Sequence, residues 1–145
     1  MREILFRGKR VDNGEWAVGC LAFDIMFGGK PFEHSYIINH EHPSGCFCGD
    51  ICIEVVPATV GQFTGLTDKD GKRIFEGDVI RAKIEGGNHE GFTWPNMRVE
   101  FEQGAFCLVY GEHNRLCNFN GLAPSVSLEV IGNIHDNPEL LKGGD

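Results

Sequence analysis

Apolar and polar positions alternate in short runs along this chain, and glycines break the runs, so the pattern predicts strands joined by tight turns. Ile4 and Phe6 open an extended segment that turns at Asn13-Gly14, a pair suited to a type I′ hairpin because both central residues need positive φ. In the next strand Trp16, Val18, Cys20 and Ala22 share one face, which is the face expected to be buried. Ser35 to Ile38 and Ile51 to Val56 read as short strands with β-branched content. Pro57 to Gly65 has no period and reads as a helical turn or structured linker, with Thr59 as its N-cap.

Residues 66–85 carry the clearest pattern. Asp68-Lys69-Asp70-Gly71 suits a type I turn closed by a left-handed glycine, the three-residue hairpin with a bulge. Glu76-Gly77-Asp78 is a second turn. In Val79–Ile84 the odd members Val79, Arg81 and Lys83 form a polar-leaning face and the even members Ile80, Ala82 and Ile84 an apolar one. After a loop from Gly86 to Pro95, Arg98–Glu102 and Ala105–Tyr110 form a hairpin about Gln103-Gly104, and residues 111–121 read as a polar loop. Val126, Leu128 and Val130 alternate along a last strand. Asn137-Pro138-Glu139 starts a helical turn, with Asn as cap and Pro at the first position. The expected fold is mainly β. It has a small SH3-like barrel or roll in the C-terminal part, residues 57–145, N-terminal strands in residues 1–56, little helix and one shared core.

Composition narrows the class. The 145 residues include 20 glycines, about twice the usual share, yet there is no G-X-Y period and there are only 6 prolines. A hydrophobic content of 41% with 11 Phe argues against disorder. No apolar run approaches the ~18 residues of a membrane span, and the start MREILFRGKR has no apolar signal segment, so a cytoplasmic protein without a membrane partner is expected. In that compartment the six cysteines read as thiols or metal ligands rather than disulfides. The net charge of −8 opposes approach to a polyanion. Nucleic acid is a partner only if Arg7, Lys9, Arg10, Lys72, Arg73, Arg81 and Lys83 share one face.

Three stretches, Ile4 to Gly19 (ILFRGKRVDNGEWAVG), Thr59 to Ile80 (TVGQFTGLTDKDGKRIFEGDVI) and Glu129 to Leu141 (EVIGNIHDNPELL), resemble the YopX family of phage and prophage proteins. The resemblance implies a mostly β fold with an SH3-like barrel in the C-terminal part, and a phage or prophage gene in a bacterial host. It implies no activity and supplies no catalytic residue. The segments 24–56 and 86–125 depart from the family's pattern.

One of those segments holds the sharpest chemical feature, His40, His42, Cys46, Cys48 and Cys52 within thirteen residues. Zinc takes four such ligands, commonly as two close pairs. The C-x-C spacing is tighter than the usual knuckle, so no metal is expected and zinc is the alternative. A thiolate–imidazolium pair within the loop would make a nucleophile, but no third orienting residue accompanies it. Asp68-Lys69-Asp70-Gly71 fails as a calcium loop because position 12 is Val79 and not a closing Glu. Glu76-Gly77-Asp78 reads as turn chemistry, with Asp accepting backbone N–H bonds. No phosphate loop or hydrolase elbow occurs. Most aromatics alternate within strands and belong to the core, but Phe92 and Trp94 sit in the glycine-rich loop and are candidates for a contact surface. The expected function is a non-catalytic, oligomeric binding or regulatory module with a protein partner or its own copy. The alternatives are a nucleic-acid-associated protein and a metal- or thiol-dependent enzyme built on residues 40–52.

Overall fold

The computed structural model describes residues 3–23, 34–39, 52–112, 114–116 and 125–142. Among them the chain is mainly β. The strands are β1 Phe6–Lys9, β2 Trp16–Phe23, β3 Ser35–Ile38, β4 Cys52–Val55, β5 Gly61–Thr67, β6 Arg73–Phe75, β7 Asp78–Ile84, β8 Met97–Glu102, β9 Ala105–Tyr110, β10 Asn114–Leu116 and β11 Val126–Asn133. They form two antiparallel sheets, ordered β4-β3-β2-β1-β5-β6 and β10-β9-β8-β7-β11. The mainly β expectation is met, but neither sheet closes into a barrel. The chain divides into two compact units, Met1–Phe63 and Thr64–Asp145.

In the first unit β1 lies between β2 and the start of β5, with Arg7 opposite both Val18 and Gly61. The core is Ala17, Ile37 and Val55, with Phe6, Leu21, Ile53 and Val60 packed against it. The buried side of β2 is therefore the Ala17, Gly19, Leu21 side, not the expected side with Trp16, Val18, Cys20 and Ala22, all of which are half-buried. Close strand approach decides the face. An added Cβ on Gly19 would lie 2.1 Å from the Ile38 carbonyl oxygen, and one on Gly8 would lie 2.8 Å from Val55 Cβ. The sheet curls so that the Val56 N–H donates to Lys9 O at 2.8 Å and the Val11 N–H donates to Glu54 O at 3.1 Å.

Asn13-Gly14 does not form the expected type I′ turn, because Gly14 alone of the pair has positive φ, +73°. The loop is longer. The Gly14 N–H donates to Arg10 O and the Arg10 N–H donates to Glu15 O, while the Asn13 amide oxygen takes the Glu15 N–H at 2.9 Å. Thr59 is no N-cap either. It ends a 3-10 turn, Pro57–Thr59, where its hydroxyl accepts from the Lys9 N–H and donates to Val56 O.

In the second unit the core is Ile74, Ile80, Ala82, Met97, Val99 and Leu108, with Val126, Leu128 and Val130 packed against it. From Ile80 on, β7 alternates as the pattern predicts, with Arg81 and Lys83 exposed and Ile80 and Ala82 buried, but Val79, expected on the polar-leaning face, is fully buried because the start of the strand is covered on both faces. Asp68-Lys69-Asp70-Gly71 makes the expected turn. The Gly71 N–H donates to Asp68 O, the Asp68 N–H donates to Lys72 O, and Gly71 sits at φ +82°. The tip of this turn then lies on the outer edge of β11, where the Lys69 N–H donates to Leu128 O at 2.9 Å. That edge is occupied by a turn rather than by a further strand, which leaves the sheet open. A 3-10 turn, Pro138–Leu141, follows β11. Asn137 precedes it without capping it, because its side-chain oxygen takes the Asn133 N–H instead.

Candidate functional site

The buried carboxylates are built into turns. Asp68 is 8% exposed. Its Oδ1 accepts from the N–H groups of Asp70 and Lys72, both at 2.9 Å, and its Oδ2 accepts from the Val130 N–H at 3.0 Å. Burial pushes the Asp68 carboxyl up, but those three N–H bonds and the nearby Lys72 charge outweigh it and hold the group below the ordinary carboxylate value. Asp78 is 1% exposed and takes the Phe75 N–H at 2.8 Å across the Glu76-Gly77 turn. Both Asp68 oxygens and Asp78 Oδ2 thus serve backbone donors.

The cations are distributed among local partners. Arg7 is buried, with its guanidinium carbon 4.5 Å from the Trp16 ring centroid, and Lys9 Nζ lies 5.7 Å from the same ring. Arg10 pairs with Asp12 at 2.8 Å. Lys69 and Arg81 both approach Glu129 at 3.7 Å, and Lys83 approaches Glu85 at 3.9 Å. Of the seven cations singled out in the sequence, Arg10, Arg81 and Lys83 thus have carboxylate partners within the chain.

Of the proposed metal ligands, His40, His42, Cys46 and Cys48 lie outside the described residues, and Cys52 lies in β4. Strand register places Ile38 opposite both Cys20 and Cys52, so the two half-buried thiols face the same way one strand apart. Two strand spacings separate them by roughly 10 Å, beyond disulfide reach. Burial pushes the Cys52 thiol up, which favours the protonated form over the thiolate needed by a nucleophile. No group of three or more His, Cys, Asp or Glu able to hold a metal occurs among the described residues. No helix among them is long and apolar enough to cross a membrane.

The two aromatic candidates do meet, on an ordered ribbon. Glycines 86, 87 and 91 all take positive φ, which lets the chain double back after β7. The Ile84 N–H donates to Phe92 O and the Gly91 N–H to Ile84 O, at 2.8 and 2.9 Å. The Trp94 N–H donates to Ala82 O at 3.1 Å, and Thr93 bridges Lys83. Phe92 and Trp94 stand edge to face with centroids 5.0 Å apart. Trp94 is half-buried against the core, and Phe92 is 53% exposed. Ile84 and its partner on β11, Val126, are half-buried beside them. Neither entered the sequence reading of this surface. The Phe-Thr-Trp alternation at 92–94 was the available sign of a strand-like segment.

Comparison with known proteins adds the family and the fold. A family model described as YopX protein matches residues 24–142, a range that takes in the Thr59–Ile80 and Glu129–Leu141 stretches and begins after Ile4–Gly19. The crystal structure of protein EF1440 from Enterococcus faecalis is similar to the chain with a TM-score of 0.54, at 22% identity over 97% of this chain and 99% of that one. That likeness is one of fold. No curated protein matches the chain.

Proposed function

The chain belongs to the YopX family, and from that premise we propose that it is a non-catalytic binding module of a bacteriophage or prophage, working through a protein partner. The observation that carries this reading is the ribbon at residues 85–96. It holds a large aromatic side chain in water with a set of backbone hydrogen bonds fixed before any partner arrives. An aromatic with half of its ring exposed suits an interface anchor, and a preformed loop lowers the ordering cost of binding. The commitment of Asp68 and Asp78 to backbone donors, and the raised Cys52 thiol, favour binding over catalysis.

Affinity capture from host cells expressing the tagged protein, with wild type and Phe92→Ser side by side, tests the reading. A partner held by wild type and lost with Phe92→Ser is the expected outcome. Equal capture by both proteins, or turnover of a substrate by the purified chain, rejects it. Phe92→Ser is expected to cost about 1–2 kcal/mol of stability without unfolding the protein, because it removes the edge-to-face contact with Trp94 and the covered half of the ring, and thermal unfolding checks this.

A further inference from the structure

The partner's chemistry follows from what surrounds Phe92, and this inference rests on the binding reading above. Three features converge there. First, Phe92, Trp94, Ile84 and Val126 form a continuous apolar patch where the second unit's core layer reaches the surface. Second, the loop between Lys83 and Arg98 contains Glu85 and Glu90 and no Lys or Arg, and since Lys83, opposite Thr93, pairs with Glu85, Glu90 is the carboxylate the loop offers a partner. Glu85 has Ser127 and Lys83 as partners, while Glu90 is exposed. Third, the bonds to β7 use the Phe92 carbonyl and the Trp94 N–H. In an antiparallel pair the intervening residue then turns its own N–H and C=O outward, and Thr93 is exposed.

We propose that this surface docks an extended segment of another protein in which an apolar side chain is flanked by lysine or arginine. The apolar side chain packs on Phe92 and Ile84. A flanking cation meets Glu90 and the electron-rich face of the Phe92 ring, and the segment's backbone pairs with the outward N–H and C=O of Thr93. Pro95 lacks an N–H and ends that pairing edge, so the backbone contact is short and the side chains set affinity. The net charge of −8 steers the same class of partner toward the chain.

The probes are a short labelled peptide alternating lysine with leucine, its glutamate–leucine counterpart and a labelled single-stranded oligonucleotide. Binding is followed by fluorescence anisotropy, and the surface is located by amide chemical shifts. The lysine peptide is expected to bind, to move the amides of Ile84 to Trp94, and to weaken as salt is raised. Phe92→Ser is expected to cost at least about tenfold in affinity, as truncating an anchor does. Glu90→Lys is expected to weaken the lysine peptide while leaving the circular dichroism of the free protein unchanged. The proposal is overturned if the glutamate peptide or the oligonucleotide binds as tightly, if the shifts fall elsewhere, or if neither variant alters affinity. Loss of a captured cellular partner with Phe92→Ser, together with no binding of the lysine peptide, removes the cationic-segment proposal and leaves the binding module standing. An unaltered result in both experiments removes both.

Discussion

At Asp68, two carboxylate oxygens accept three backbone N–H groups drawn from the turn itself and from β11. Asp68→Ala is expected to destabilise the protein by about 2 kcal/mol or more, because it strands N–H donors that were charge-assisted. Asp68→Asn keeps one acceptor oxygen but turns an NH2 group on the remaining donors, so it should also destabilise. The carboxyl is held below its ordinary value in the folded state. The stability it contributes is therefore complete above the ordinary carboxylate range and is lost as pH falls through the folded value, below pH ~4. Denaturant midpoints at neutral pH and near pH 3 should differ less in Asp68→Asn than in wild type. An equal drop in both would mean that other carboxylates carry the acid sensitivity. The glycines divide in the same residue-by-residue way. Gly14→Ala meets open space at φ +73° and should cost only the left-handed penalty of about 1–2 kcal/mol. Gly19→Ala would drive a Cβ into the backbone of β3 and should cost several-fold more, or prevent folding. Matched thermal melts separate the two.

Elements were legible where alternation was strong and opaque where glycine replaced it. β11 follows its apolar alternation, β7 follows it from Ile80 on, and the β8–β9 hairpin was legible from its Gln103-Gly104 turn although β9 buries Cys107, Leu108 and Val109 in succession. Beginning β5 with Gly61 and placing Gly65 at φ +88° inside it removed the side chains that would have announced a strand. β10, Asn114–Leu116, is too short and polar to stand out from its loop. The face of β2 was misread because close approach favoured Ala17 and Gly19 over the larger Trp16 and Val18, a preference set by neighbouring strands and invisible in one strand's pattern. The turn at Asp68 to Gly71 was legible as a turn, but its docking on β11 joins residues about 60 positions apart, beyond the reach of any local rule. The docking predicts a specific exchange pattern. The Val130 amide should be protected in wild type, and Asp68→Ala should speed its exchange more than that of amides in the β8–β9 hairpin. Uniform acceleration across the sheet would mean that Asp68 acts on global stability alone.

At the scale of the molecule, the order β4-β3-β2-β1-β5-β6 places the first strand in the middle of its sheet, with β5 arriving from a distance to pair with it. Sequence order alone would leave β1 at an edge, so this topology could not be read before β5 was recognised. Among the described residues, the first unit buries Ala17, Ile37 and Val55 as its cluster, while the second buries Ile74, Ile80, Ala82, Met97, Val99 and Leu108. Buried apolar surface is the main favourable term in folding, so the smaller cluster supplies less of it. Local opening follows such differences, with poorly packed regions exchanging through lower-energy excursions. Native-state hydrogen exchange is therefore expected to show amides of β2 and β3 opening at lower free energy than those of β7 and β8. Denaturant should accelerate the first set through smaller exposed surfaces than the second. If both sets instead converge on one opening free energy and one denaturant dependence, the chain unfolds as a single cooperative body despite its unequal clusters.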